Sequence, residues 1–437
     1  MHNPHSQAQV IIIGAGPTGL AAAIRLAQHN KLNPVIYELR NPDTAGIGGS
    51  LGIPANGLRV LHRLGLWDMM LPRGVEISKT ILHAASGSIL REVDVATEPK
   101  LKTGFGYFRI NRVDLVECLR DAARKWQIPI HYGKQLTSID DHGGAGVTVT
   151  FSDGTSDTAS LLLGCDGIHS TVRRLYVDPE MKPVYSGFGA ISAIVDDVDS
   201  HERNDATSLH STITPQGMLA TAPCAAKQTF WFFSKEVPLP PATDSGDERD
   251  GWSLHRQNEL VDWRSSLSSV LDCMQGQWGQ YMRQLVDSST DLHFYPHYRL
   301  PLGGRWFVPS AAGQDSPRML LLGDAAHAVQ PHAGQGVALA VEDVLLLSGL
   351  LAQYQAGEYT ALEEVFGRFD RIRRPRIEQI NELASRNGRM RRNQSPWLLW
   401  FKEWYMWFLL HVNRFWGMSM SGVSNGDILY DVEAELK

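Results

Sequence analysis

The 437-residue chain is poor in cysteine. It has four, Cys118, Cys165, Cys224 and Cys273, and no two are spaced as a CxxC pair or a zinc knuckle. That excludes a disulfide scaffold and a structural zinc site, so no metal is expected. The four read as free, buried thiols of a reducing compartment. A basic surplus is also missing: 41 Lys and Arg stand against 47 Asp and Glu, a net charge of -6. With no excess cation to neutralise phosphates, no nucleic-acid partner is expected. The apolar run Val10–Ile24 lacks the basic flank of a secretion signal, because residues 1–9 hold no Lys or Arg. Gly14, Gly16, Pro17 and Gly19 interrupt that run, and a cytoplasmic location is expected. No internal repeat or low-complexity tract stands out.

What is present suits a soluble globular protein of two domains or so, with 43% hydrophobic and 20% charged residues. Val10–Ile13 is β-branched throughout, as a buried parallel strand should be. The turn Gly14–Gly19, a helix over Leu20–His29 and a strand over Asn33–Glu38 complete a βαβ unit. Helices are predicted over Asn56–Leu66 and Asp114–Trp126, and a hairpin over Gln135–Ser160 with its turn at Asp141–Gly146. Leu161–Cys165 and Arg318–Gly323 read as further buried strands. Between about 180 and 300 the pattern changes to short alternating strands, among them Ala190–Val195, Leu209–Ile213 and Gln228–Phe233. From Val337 onward the chain reads as largely helical.

Three motifs carry chemistry. Gly14-x-Gly16-x-x-Gly19 sits between a strand and a helix, where glycines permit a tight turn and close approach of a pyrophosphate to the helix N-terminus. Glu38 ends the next strand, where a carboxylate can take ribose hydroxyls. Gly164-Cys165-Asp166-Gly167-Ile168-His169-Ser170 is the second motif; on these residues alone, Asp166 could equally be a helix cap. The third is Gly323-Asp324-Ala325-Ala326-His327, followed by Pro331 and Gly334-Gln335-Gly336. Asp324 can accept from a polyol, and the glycine amides at a helix N-terminus can face a group that becomes negative on reduction.

In this order, GAGPTGL, CDGIHSTVR and GDAAHAVQPHAGQG resemble the single-component (group A) flavoprotein monooxygenases, a family that includes p-hydroxybenzoate and salicylate hydroxylases. The resemblance implies an α/β fold: a Rossmann-like FAD-binding domain, a mainly antiparallel β substrate domain and C-terminal helices. We expect the FAD domain at 1–75, 101–180 and 301–355, the substrate domain at 76–100 and 181–300, and the helical region at 356–437. It also implies cofactor roles for Gly14, Gly16, Gly19, Glu38, Asp166, Asp324, Pro331, Gly334, Gln335 and Gly336. Arg112 matches the family's R-x-D-L helix start. Gly49 falls in the loop that passes the flavin ring, within 46–53. Leu39 departs from a basic residue common after the acidic one, and Arg40 is assigned its adenine-side role.

By the same resemblance NAD(P)H reduces FAD, O2 adds at C4a of the flavin, and the hydroperoxide hydroxylates or epoxidises a small electron-rich aromatic (a phenol, an indole or a polyketide-like ring), as in secondary metabolism. There is no second GxGxxG, so NAD(P)H has no dedicated domain. Arg109, His210 and Arg299 are the candidate catalytic residues, with His297 and Tyr298 beside them. A flavin dehydrogenase or reductase without oxygen insertion is the alternative, and a non-enzymatic FAD-fold binding protein the remote one. His327 reads as a residue packing its turn, and the basic run Arg368–Arg376 as a solvated helix face. Trp397–Trp416 holds five of the twelve tryptophans. It has two readings: an amphipathic helix docked on the protein near the active-site mouth, or a helix in peripheral contact with a membrane. A monomer or weak dimer is expected.

Overall fold

Val10–Ile13 becomes the centre of a five-stranded sheet. The computed structural model describes residues 9–42, 49–196, 206–239, 263, 265–310, 317–395, 397–405 and 425–437. In it, strand Gln9–Ile13 pairs with Asn33–Tyr37 on one side and Leu161–Gly164 on the other. Ile130–His131 and Met319–Leu321 form the edges, and every pairing is parallel. These strands are nearly all apolar because helices and a meander cover the sheet. Helices Pro17–Arg25, Arg112–Lys125 and Gly336–Gln355 pack side by side over it. The last is long and apolar enough to cross a membrane, yet most of it is buried in this core.

The expected hairpin is a three-stranded meander, Leu136–Asp141, Val147–Phe151 and Ser156–Ala159. Its turn falls where the glycines put it, with His142 N–H donating to Gly146 O at 2.9 Å. The third strand was not legible because SDTA has no apolar alternation.

A seven-stranded, mainly antiparallel sheet carries the second layer. Its order is His293–Arg299, Val184–Asp196, Gln228–Glu236, Gly217–Ala225, Ser208–Thr214, Lys79–His83 and Ile89–Asp94. Leu219, Trp231, Phe233 and Ile191 share one face and pack on Leu267, Leu271, Met282 and Leu285 of the helical segments behind it. Cross-strand register then fixes everything else: Phe230 and Phe232, between those positions, lie on the opposite, front face. A small sheet of Ser50–Ile53, Tyr107–Asn111 and Gly74–Ile77 stands against strand Gly217–Ala225.

The C-terminal region turns back onto the parallel-sheet core. Arg59 pairs with Asp431 at 2.6 Å, and Leu436 packs over Gly349. Two expectations need correcting here. The run 368–376 is not a solvated face: Arg373 and Arg376 point inward and are buried, Arg373 onto Glu342 and Asp343, Arg376 onto Asp427. The 28-residue helix Leu362–Arg389 lies across the core, so inward positions of the run meet carboxylates there. Of the cysteines, Cys118, Cys165 and Cys224 are buried, but Cys273 is exposed.

The described part of the aromatic segment, 397–405, is helical with its tryptophans outward: Trp397, Trp400 and Trp404 are 72%, 59% and 46% exposed. It docks instead through buried Leu399 and through Glu403, which accepts from Ala85 N–H at 2.9 Å. Ala85 lies in the hairpin at the far edge of the large sheet, so this part of the helix does not line the site described below. Residues 406–416 lie outside the described residues.

Candidate active site

Parallel pairing brings the three motifs together. Ile13, Gly164 and Leu321 are aligned neighbours on adjacent strands, so the three turns that follow leave the same edge of the sheet. Ligands bind at such carboxyl edges.

In the first turn Gly14 has φ +106, and a Cβ there would stand 2.5 Å from Cys165 O. A Cβ on Gly19 would stand 2.0 Å from Gly14 O. Both glycines are demanded by the chain's own close packing. Gly16 differs: nothing lies within 4 Å of its Cβ position, so it leaves open space before the helix N-terminus. Glu38 holds the turn, accepting from Ala15 N–H at 2.7 Å and from Arg40 N–H at 2.9 Å. Arg40 itself is exposed.

Asp166 caps the second turn: its Oδ2 accepts from Thr171 and Val172 N–H at 2.6 and 3.2 Å. Its Oδ1 is buried and has no partner. Burial raises its carboxyl above the usual range, against the pull of those donors. Arg173, which the sequence reading left without a role, ties this turn to the third motif by donating to Ala325 O at 2.8 Å.

The third turn is built around Asp343. This buried carboxylate accepts from Gly323 N–H at 2.8 Å, from His327 Nε2 at 2.6 Å and from Arg373 Nε at 2.7 Å. His327 therefore packs the turn, as expected. Gly323 has φ +58, and this bend leads into Asp324 at the carboxyl edge of the sheet. Asp324 is reached by solvent although protein surrounds it. That enclosure raises its carboxyl, while His327 and Arg112 pull it down. Arg112 is exposed near it, and Arg112 N–H donates to Gly49 O at 3.1 Å. Pro331 begins a short 3-10 turn, Gly334 follows at φ +63, and Gly336 starts the long helix with open space beyond its Cβ position. The side chain of Gln335 turns inward to accept from Asn56 at 3.0 Å, so only its backbone can face a ligand.

These features fit FAD. An open glycine cradle lies at one helix N-terminus, an unpartnered buried carboxylate oxygen sits on the next turn, and a solvent-reached Asp324 sits on the third, ahead of the Gly334–Gly336 loop in the chain.

Beyond the loop lies the front face of the seven-stranded sheet. Arg109 is buried there, with its guanidinium 5.3 Å from the Phe230 ring centre and its Nε unpartnered. Phe230 also packs against Gly49. Phe230 and Phe232 lie 5.9 Å apart. His297 meets His332, the residue after Pro331, at 3.2 Å.

His210 is not in this group. Its register opposite Thr221, which faces Trp231, sends it to the back of the sheet. There it contacts His83 at 3.0 Å and stacks on Trp278. A base role for His210 is therefore withdrawn. Arg299 ends the edge strand opposite Val184, next to Leu300, whose N–H donates to Ala328 O. Tyr298 packs toward Tyr185 on the helical side. The sequence reading missed Phe230, Phe232 and Arg391, which belong to no motif, and gave no role to His332, which lies inside the third; the sheet's register and the end of the long helix bring them to one face.

The family described as "FAD binding domain" matches residues 7–251 and 310–384 of the chain. Among curated proteins, the chain is 26% identical over 405 residues to 6-hydroxynicotinate 3-monooxygenase of Pseudomonas fluorescens, covering 89% of this chain and 93% of that one. It is 25% identical over 420 residues to salicylate hydroxylase of Pseudomonas putida, covering 91% and 89%. Among solved structures, Klebsiella pneumoniae HpxO complexed with FAD and uric acid superposes with a TM-score of 0.71 at 22% identity, covering 92% of each chain. That likeness speaks for the fold.

Proposed function

Because the chain belongs to the FAD binding domain family, we propose that it works as an FAD-dependent monooxygenase that uses NAD(P)H and O2 on a small electron-rich aromatic substrate. The observation that carries this reading is that three separate motif turns leave one edge of the parallel sheet, while Phe230, packed against Gly49, carries Arg109 on the neighbouring sheet face. Bound FAD would supply the redox chemistry, accepting hydride from NAD(P)H and activating O2.

The chain's residues bind, orient and exclude water. Gly14, Gly16 and Gly19 shape the pyrophosphate cradle, with Glu38 bracing it and Arg40 at its outer edge. Asp166 and Arg112 flank the middle of the cofactor, and Asp324 accepts from its polyol. Pro331 and the backbone of Gly334, Gln335 and Gly336 border the ring, with Gly49 opposite. The helix N-terminus at Gly336 favours negative charge beside it. Phe230 and Phe232 offer the substrate an apolar platform, with Arg109 at its edge. Arg299 is retained as a positioning candidate. Keeping water from the reacting centre is what separates productive oxygenation from loss of peroxide.

The test is a purified yellow protein whose NAD(P)H oxidation is stimulated by a phenol or indole, with isotopically labelled O2 appearing in the product. Product formed without the label would establish the dehydrogenase alternative instead. A second reading concerns 397–405. Its outward tryptophans support peripheral contact with a membrane by a cytoplasmic protein that is itself a monomer or weak dimer. Sedimentation with anionic and neutral vesicles tests this; protein remaining wholly in the supernatant refutes it.

A further inference from the structure

Buried arginines among the described residues follow a rule, and two break it. Arg373 is paired with Glu342 and Asp343, Arg376 with Asp427, and Arg173 donates to three backbone carbonyls. Arg391, two residues past the end of the same long helix as Arg373, is 9% exposed and has no hydrogen bond or ion pair from its guanidinium to any described residue. Its Nε is buried and unpartnered, and its guanidinium lies 5.9 Å from the Phe232 ring centre. Glu236, farther along the strand of Phe232, is occupied by Arg392 at 3.5 Å and Asn393 N–H at 3.0 Å.

The surroundings do not supply the missing anion. His332 packs against Gly388, three residues before Arg391, and meets His297 and the edge of Phe188. Burial, with Arg391 adding to it, holds His297 down to about 3 and His332 to about 2, so both are neutral hydrogen-bonding groups. His332 Nδ1 is buried without a partner. Arg109, at the other end of the Phe230–Phe232 platform, is the other buried arginine whose guanidinium has no hydrogen bond or ion pair to a described residue. Burying a cation without a counter-ion is costly, and a guanidinium is shaped to take a planar acid through two parallel N–H donors.

We infer that the substrate is an anionic aromatic whose acidic group is seated on Arg391, with the ring on Phe232 and Phe230 and Arg109 at the far end. This rests on the proposed function and adds the charge of the substrate and the residue that reads it. A carboxylate and the oxygen of an acidic enol share the chemistry required.

The test is equilibrium titration of the FAD-loaded protein, followed by flavin absorbance, with matched pairs: para-hydroxybenzoate and para-hydroxybenzamide, indole carboxylate and indole carboxamide, and hydroxycoumarin and its methyl ether. The wild type should bind at least one acidic member about tenfold or more tightly than its neutral partner. Which pair shows the preference tells carboxylate from enol. Arg391→Gln should weaken that acid about 30-fold while leaving the neutral member within about threefold and FAD in place; Arg391→Lys should recover part of the loss. A wild type that prefers no acid in the panel overturns the inference. So does an Arg391→Gln protein that keeps the acid preference, even if it melts earlier, because a purely structural role predicts that pattern. Oxygen incorporation into product is read separately: its failure strikes the monooxygenase reading and leaves the binding result to stand on its own.

Discussion

The carbonyl oxygen of Cys165 lies 2.5 Å from the point where Gly14 would carry a Cβ. Gly14 is thus fixed by the neighbouring strand's backbone rather than by the cofactor's phosphates. Gly16, two residues on, is the glycine whose missing side chain leaves room for a ligand.

Gly14→Val and Gly16→Val should therefore fail differently. Gly14→Val should give little soluble protein, since its side chain must push two paired strands apart at a positive φ. Gly16→Val should fold, with wild-type circular dichroism and apoprotein melting, but should purify colourless. Flavin content per protein checks both, and a yellow Gly16→Val would falsify the cradle assignment.

Asp324 and Asp343 should also separate. Asp324→Ala removes the solvent-reached carboxylate of the third turn and should weaken FAD binding about 10- to 100-fold with a nearly normal apoprotein. Asp343→Asn removes the buried charge that holds His327 and one side of Arg373, leaving Arg373 with Glu342 alone, and should cost roughly 3–5 kcal/mol of stability. Urea unfolding and FAD titration distinguish the two; equal loss of stability in both variants contradicts the assignment.

His210→Ala should leave substrate-stimulated NAD(P)H oxidation within about threefold of wild type, losing roughly 1 kcal/mol of stability with its Trp278 contact. A loss of turnover by orders of magnitude would restore His210 to the catalytic group.

Stability should fall in mild acid through His297 and His332. Folded, they titrate at about 3 and about 2; unfolded, near 6.5. The unfolded chain therefore takes protons first as pH falls. The contribution of these two residues is complete above pH 6.5 and declines from there toward pH 3, by at most about 1.4 kcal/mol per pH unit for each. Urea midpoints between pH 7 and 4.5 measure the slope, and His297→Gln should flatten it. An unchanged slope in that variant means His297 is not buried neutral.

These contrasts mark what was legible in the sequence. The glycine turns were, because a positive φ or a sub-van-der-Waals approach is a local demand that few residues meet. The parallel core was, because strands buried on both faces read as plain apolar runs. The side to which His210 points was not: it depends on register with Thr221, and one residue of slip would reverse it. Nor was the inward turn of Arg373 and Arg376, since a basic helix looks the same whether its partners are water or the carboxylates of another helix. Arg391 was the least legible. Nothing near it in sequence marks it, and its meaning comes from phenylalanines some 160 positions earlier.

The pairing of Val10 with Leu161 and of Leu162 with Met319 has a consequence for biogenesis. Each closes a loop of about 150 residues, so the central sheet has high contact order and is slow to assemble. The cleft acquires its third wall only once the strand at Met319–Leu321 and the helix start at Gly336 have left the ribosome. A nascent chain shorter than that offers FAD only the first two turns. The cofactor is then a ligand of the nearly finished protein, and flavin capture reports that the sheet has closed.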